Sequence, residues 1–385
     1  MVYCARKSMM IILKTLLFLS VIVLPLTACR ESRITKPPKD NSGLFRIKQN
    51  SKWGFMDRTG KVVINPQFDG AYDFSDGLAC VKAGNRYGFI DTKGQYAINP
   101  QFETTDRPDW PCRGFSEGFA PVRLGRNRTV YIDRTGKTVI DAQSPSEYFS
   151  SGATQNPFSE GLAPILQRPS AGGNCGYVDK TGKTVISPQF VICNDFAEGL
   201  AAVAIGAGTN YKYGYIDTAG TVVVSPQFDE SKPFSEGLAV VRVGRKFGYI
   251  DRTGKLIINP QFEEADGFSE GLACVGIGDY PTKKFGFIDK TGKYVINPQF
   301  EAAGDYAHAG GFSEGLAAAK SEGKWGYIDK TGKFTISPQF MEAEMFSGGL
   351  AAVGIRDTID GYKSGSWERF GYIDSTGKYV WNIQN

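Results

Sequence analysis

Along most of this chain, short apolar runs alternate with glycine-centred turns in a fixed order. One stretch shows the order most clearly. Residues 238–243 alternate, with Ala239, Val241 and Val243 on one side and Arg242 on the other, which is the period-two pattern of a strand with one buried face. Phe247-Gly248-Tyr249-Ile250-Asp251 reads as a second strand. Leu256-Ile257-Ile258 reads as a third, closed by Asn259-Pro260 because proline cannot continue a ladder. Asp251-Arg252-Thr253-Gly254-Lys255 joins the last two, with the glycine supplying a left-handed turn and the aspartate accepting backbone N–H groups. The predicted element is a three-stranded antiparallel meander with room for a short fourth segment.

The same order recurs nine times, anchored on Asp57, Asp91, Asp133, Asp179, Asp217, Asp251, Asp289, Asp329 and Asp374. Extra residues fall before the aspartate or after the Pro-Gln-Phe triplet, where surface loops tolerate them. A residue repeated at one position in every unit serves the unit's fold, so repetition removes most chemically attractive side chains from candidacy. The glycine within the second strand, as at Gly54, Gly88 and Gly326, weakens a strand unless something packs closely on it. The expected neighbour is an aromatic ring of an adjoining unit, such as Phe68 or Phe74.

Lys52-Trp53-Gly54-Phe55-Met56-Asp57 and Lys324-Trp325-Gly326-Tyr327-Ile328-Asp329, each in the same repeat frame with Thr-Gly-Lys following, resemble the bacterial WG-repeat family, also called KWG repeats. The resemblance covers residues 43–385. It implies an extracytoplasmic or interaction-type repeat domain and carries over no catalytic residue. Unit three departs most, with Thr129-Val130 for the aromatic-Gly pair and Ala142-Gln143-Ser144 for Pro-Gln-Phe; Cys175 replaces an aromatic in unit four. The expected fold is all-β. Both ends of the repeat region are whole units and nine exceeds the usual blade number, so an open solenoid-like or superhelical array is expected, with a closed β-propeller-like ring as the alternative.

Before the repeats, Arg6, Lys7 and Lys14 precede an apolar run over 16–24 and then Leu26-Thr27-Ala28-Cys29. The run is short for a membrane span and reads as a signal peptide over residues 1–28. The Leu-Thr-Ala-Cys ending resembles a bacterial lipobox, which implies lipidation of Cys29, a polar tether over 29–42, and an exported protein held on a membrane facing the periplasm or cell surface. Without Arg6, Lys7 and Lys14, the 44 basic residues fall almost level with the 40 acidic ones, so net charge selects no partner and gives no nucleic-acid signal. Export permits disulfides. Cys80 and Cys274 share one repeat position and read as small buried residues, whereas Cys175 with Cys193 is the pairing to test first.

Candidate chemistry is sparse. Asp-Lys-Thr-Gly at Asp179, Asp289 and Asp329 looks like a phosphorylated loop of ion pumps, but lysine follows and a hairpin turn accounts for it. His308 is the single histidine, which leaves no material for triads or multi-histidine metal sites elsewhere. Repeated carboxylates such as Glu236 and Glu270 belong to turns, and no cofactor or metal motif is present. The expectation is a non-enzymatic envelope scaffold for protein or glycan binding, with a glycan, peptidoglycan or polyanion module as the alternative and a hydrolase last. Aromatics in irregular segments, Trp110, Tyr306 beside His308, Tyr362 and Trp367, are the candidate ligand contacts. Hairpin-tip cations Arg252, Lys255, Lys290, Lys293, Lys330, Lys333 and Lys378 form a candidate basic ridge toward an anionic polymer, with an acidic row of Ser-Glu-Gly turns expected elsewhere.

Overall fold

The structure is a computed structural model describing residues 42–103, 114–124, 128–141, 157–167, 174–207, 210–301, 311–355 and 369–382. The chain divides into two units, Met1–Arg33 and Ile34–Asn385, and the repeats all lie in the second. Among the described residues this unit holds nine antiparallel sheets of three or four strands, each in simple chain order. Blade six is representative, with strands Glu230–Ser231, Ala239–Val243, Lys246–Ile250 and Leu256–Phe262. The short fourth segment therefore leads each complete blade, on the inside of the ring, and the Pro-Gln-Phe strand runs along the outside.

Nine apolar clusters hold the sheets together, and each lies between two neighbouring blades. The last of them decides the architecture, because it joins Ile47 and Met56 of blade one to Leu350, Ala352 and Tyr372 of blade nine. This second unit is a closed nine-bladed β-propeller. The open array expected from the whole-unit ends is thereby overturned: the wedge between successive sheets, which strand pattern does not encode, brings the two ends face to face. No ladder bond joins the first and last blades among the described residues.

Packing on both faces also corrects the one-sided burial that alternation implies. Ala239, Val240 and Val241 are all fully buried, because the strand lies between two blades rather than over one core. An aromatic pair recurs from interface to interface. Tyr249 meets Phe268 with ring centroids 5.1 Å apart, Phe55 meets Phe74 at 4.8 Å, and at the closing interface Tyr372 meets Phe45 at 5.5 Å. Burying such a ring contributes about 2 kcal/mol. The hairpin-tip glycine likewise sits on the preceding blade's outer strand, Gly254 on Val224 and, across the closure, Gly60 on Val380.

The strand glycines have a different neighbour from the one expected. A Cβ on Gly248 would stand 2.5 Å from the Ile258 carbonyl oxygen and 2.7 Å from the Pro260 nitrogen. The close partner is thus the blade's own outer strand, which bulges at this point, and not an aromatic ring of the next unit.

Candidate functional site

Each meander places its first and third turns at one end of the ring and its remaining connections at the other. At the first end, the Asp hairpins are self-contained. Asp251 Oδ1 accepts the Thr253 hydroxyl at 2.6 Å and the N–H groups of Thr253 and Lys255 at 2.9 and 3.1 Å. The Thr253 hydroxyl bond, followed by these N–H groups, holds the Asp251 carboxyl below its ordinary range against the opposing effect of desolvation. Asp57, Asp133, Asp179, Asp289, Asp329 and Asp374 are shifted the same way by the same hydroxyl bond. This is turn chemistry, with no reacting partner beside it.

The acidic turns lie at this same end, interleaved with the basic tips, which corrects the expectation of two separate rows. Glu236 accepts the Gly271 N–H of the next blade at 3.1 Å and meets Lys290 at 3.3 Å; Glu270 accepts the Gly315 N–H at 3.1 Å and meets Lys330 at 3.2 Å. Asp76 with Arg134 and Glu117 with Lys180 repeat the pattern. These acids hold the left-handed backbone, φ +54° at Glu236, that glycine adopts more readily, so the carboxylate's reach to the next blade offsets a conformational cost. A serine beside each acid adds a second link, as Ser235 donates to the Phe268 carbonyl at 2.7 Å. The basic ridge therefore divides. Lys290 and Lys330 are engaged in blade-to-blade ion pairs and Arg252 leans over Gly199, whereas Lys255, Lys293, Lys333 and Lys378 are exposed.

Trp110, Tyr306, His308, Tyr362 and Trp367 lie outside the described residues, as does Cys29. The described flanks of the segments 104–113 and 302–310 do not share one end of the ring: Glu103 closes an outer strand, whereas Gly114 and Gly311 lie beside Ser75 and Ser269 of the acid–base turns. Cys175 and Cys193 are disulfide-bonded and link blade four to the inner strand of blade five. Cys274 is a free buried thiol, as its repeat position implied, and burial pushes it well above its ordinary range. Cys80 is buried too but is disulfide-bonded, with a partner outside the described residues, so sharing a position did not mean sharing a role.

At the centre of the ring, where the ends meet, lies a cluster that pattern reading missed. Arg46 donates to Asp73 at 2.5 Å and to the Ala71 carbonyl at 3.2 Å, both on the inner strand of blade two. Tyr372 and Glu344 of blade nine approach from the other side. Burial, the largest influence on the Arg46 guanidinium, would lower its pKa, but the combined attraction of Asp73, Tyr372 and Glu344 overcomes it and raises the value. The available signal was Phe45: the other eight units have alanine there, at Ala79, Ala120, Ala163, Ala201, Ala239, Ala273, Ala317 and Ala351.

Fold and turns together define a propeller assembled from tandem repeats, in which the repeated polar groups serve hairpins and blade contacts. The WG containing repeat family matches residues 53–87, 87–127, 176–207, 213–247, 247–280, 285–325 and 325–357, more than half of the chain, and the protein belongs to this family. No curated protein matches. Among solved structures, one described as the eukaryotic initiation factor is similar over 89% of this chain and 96% of its own, at 14% identity and a TM-score of 0.58. BamB from Moraxella catarrhalis is similar over 76% of this chain and 93% of its own, at 12% identity and a TM-score of 0.41. A quinonprotein alcohol dehydrogenase-like protein from Bacteroides thetaiotaomicron is similar over 66% and 74%, at 12% identity and a TM-score of 0.34. At these identities the likeness concerns fold alone.

Proposed function

We propose that this WG-repeat propeller is a non-catalytic binding scaffold tethered to a bacterial envelope membrane through Cys29. The observation that carries the scaffold reading is where the repeated acids go: the carboxylates numerous enough to supply an acid–base pair instead accept N–H groups within hairpins or across blade interfaces. An acid and base of different environments, which hydrolysis requires, are not set apart among them. The disulfide-bonded Cys80, Cys175 and Cys193 support an oxidising compartment and thus export. Fatty-acid labelling of wild type and Cys29→Ala tests the anchor, with label expected only on wild type. Purified protein screened on sugar, ester and peptide substrates should show no turnover that survives repurification.

A second reading is a glycan or peptidoglycan module, favoured by one observation. Trp110, Tyr306, Tyr362 and Trp367 fall in segments that depart from the repeat, so repetition does not assign these aromatics to the fold as it does the aromatics of the blade interfaces. Cosedimentation with isolated cell wall is expected to drop when Trp110 and Trp367 are both replaced by alanine. Unchanged cosedimentation would remove this reading.

A further inference from the structure

At seven interfaces between successive blades, the carboxylate in the acid turn of one blade accepts a glycine N–H from the corresponding turn of the next, at 2.8 to 3.1 Å. At four of them a tip cation of that next blade closes on the same carboxylate: Arg134 on Asp76, Lys180 on Glu117, Lys290 on Glu236 and Lys330 on Glu270. A carboxylate, a main-chain N–H and a cation thus recur together, and the turn acid balances the charge of the tip cation.

At the seam between blades nine and one, the chain supplies two of these three parts. Leu44 pairs with Asp57, which sets Gly43 beside the hairpin of Asp57 and Lys61, and Gly60 of that hairpin rests on Val380 of blade nine as Gly254 rests on Val224. Gly43 holds a φ of +65° at the place of the donor glycines, and Arg58 stands at the tip position of Arg134 and Lys290. The acid position of blade nine is Gly348, where a Cβ would stand 3.2 Å from the ring of Phe45. Among the described residues nothing accepts from the Gly43 N–H and Arg58 has no ion pair, while a Cβ on Gly43 would meet nothing within 4 Å. The interface between blades one and two, by contrast, has Ser42 at the acid position and Thr92 at the tip, so acid and cation are lost together. The seam loses only the acid, and one positive charge is left unbalanced.

We propose that the Arg58 guanidinium and the Gly43 N–H receive an acidic side chain of a partner protein, seated where the interior interfaces seat the chain's own carboxylate. Charge selects the occupant, because a guanidinium and a main-chain N–H both donate and together favour an anion over a neutral group. Six of the seven interior acids are glutamate, which makes a glutamate in a flexible partner segment the best-matched residue. The proposal rests on the scaffold reading and names a partner chemistry for it; the Cys29 anchor is tested separately by labelling and stands or falls on its own.

The probe is acetyl-Gly-Glu-Gly-amide, with acetyl-Gly-Gln-Gly-amide at equal ionic strength as the control, added to the full-length chain carrying nitrogen isotope label at glycine and arginine. In NMR spectra the Gly43 amide and the Arg58 side-chain N–H should move with the glutamate probe and not with the control. Gly118 and Gly271, whose N–H groups already meet carboxylates, should stay in place. Arg58 is exposed, so Arg58→Gln leaves the core intact, and it should weaken the Gly43 response by roughly fivefold through loss of one charged contact. Arg134→Gln, at an interface that has its own acid, should leave the response unchanged. Three results would each overturn the proposal: no movement at Gly43 beyond that with the control, an equal response in the Arg58→Gln protein, or a response that appears only in the Asp40→Asn protein, which would give the place to the chain's own carboxylate.

Discussion

At the scale of single residues, the repeat tolerates variation unevenly, and geometry says where. Gly248→Ala drives a Cβ against the Ile258 carbonyl and the Pro260 nitrogen, main-chain atoms that cannot swing aside. We expect a loss of about 3 kcal/mol in urea unfolding, the upper part of the range for overpacking. Thr253→Ala removes the largest influence lowering the Asp251 carboxyl, so that carboxyl should titrate at higher pH in a carbon-detected NMR titration. A carboxyl held below its unfolded value of about 3.8 stabilises the fold fully above that pH, and the contribution is lost as pH falls through the folded value. The Thr253→Ala protein should therefore differ from wild type near neutrality and converge with it in strong acid. The need for glycine was legible in the recurring pattern; its cause was not, because a bulge that brings an outer strand over its neighbour leaves no periodic mark.

At the scale of elements, the blade was largely legible and its surroundings were not. Three strands, their order and their hairpin follow from alternation and the Asp-x-Thr-Gly turn. Alternation nevertheless predicts one buried face, while Val240 and Val241 are both buried, since the second face meets another blade. Interface rings should accordingly matter more than strand propensity. Phe268→Ala is expected to cost about 4 kcal/mol through lost burial and the cavity left behind. Tyr249→Phe, which only unpairs the Asp266 carbonyl, should cost about 1 kcal/mol. Chemical denaturation of both variants beside wild type decides the order. The Cys175–Cys193 bond closes a short loop between blades four and five, and reduction with dithiothreitol should lower the unfolding midpoint.

At the scale of the whole molecule, closure was the point at which pattern reading failed, because it depends on the angle between sheets and on contacts between residues at opposite ends of the sequence. The seam is specialised on both sides. Where interior blades carry Asp or Glu in the turn, blade nine has Gly348, and any Cβ there would lie 3.2 Å from the Phe45 ring. The candidate ridge, redrawn as a circle, consists of cations with two different duties. If an anionic polymer binds this face, retention on heparin should fall steeply for Lys255→Glu with Lys293→Glu and Lys333→Glu, and less for Lys290→Glu with Lys330→Glu, whose lysines are already neutralised across the interface. Equal retention for all would reduce the circle to solubilising charge.

The seam of side chains also bears on how such a ring can change through time. Many closed propellers interlace their two ends within one blade, so their first and last units must remain matched. Here, among the described residues, the first and last sheets share no strand, and the special residues of their junction, Phe45 and Gly348, belong to the terminal units alone. Most interior copies present similar surfaces to their neighbours, with the degenerate third unit and the Cys175–Cys193 link as departures. Unequal recombination within the tandem DNA could therefore delete or duplicate an interior copy and still return a chain with both terminal units in place, so that diameter becomes a property that selection can adjust one copy at a time.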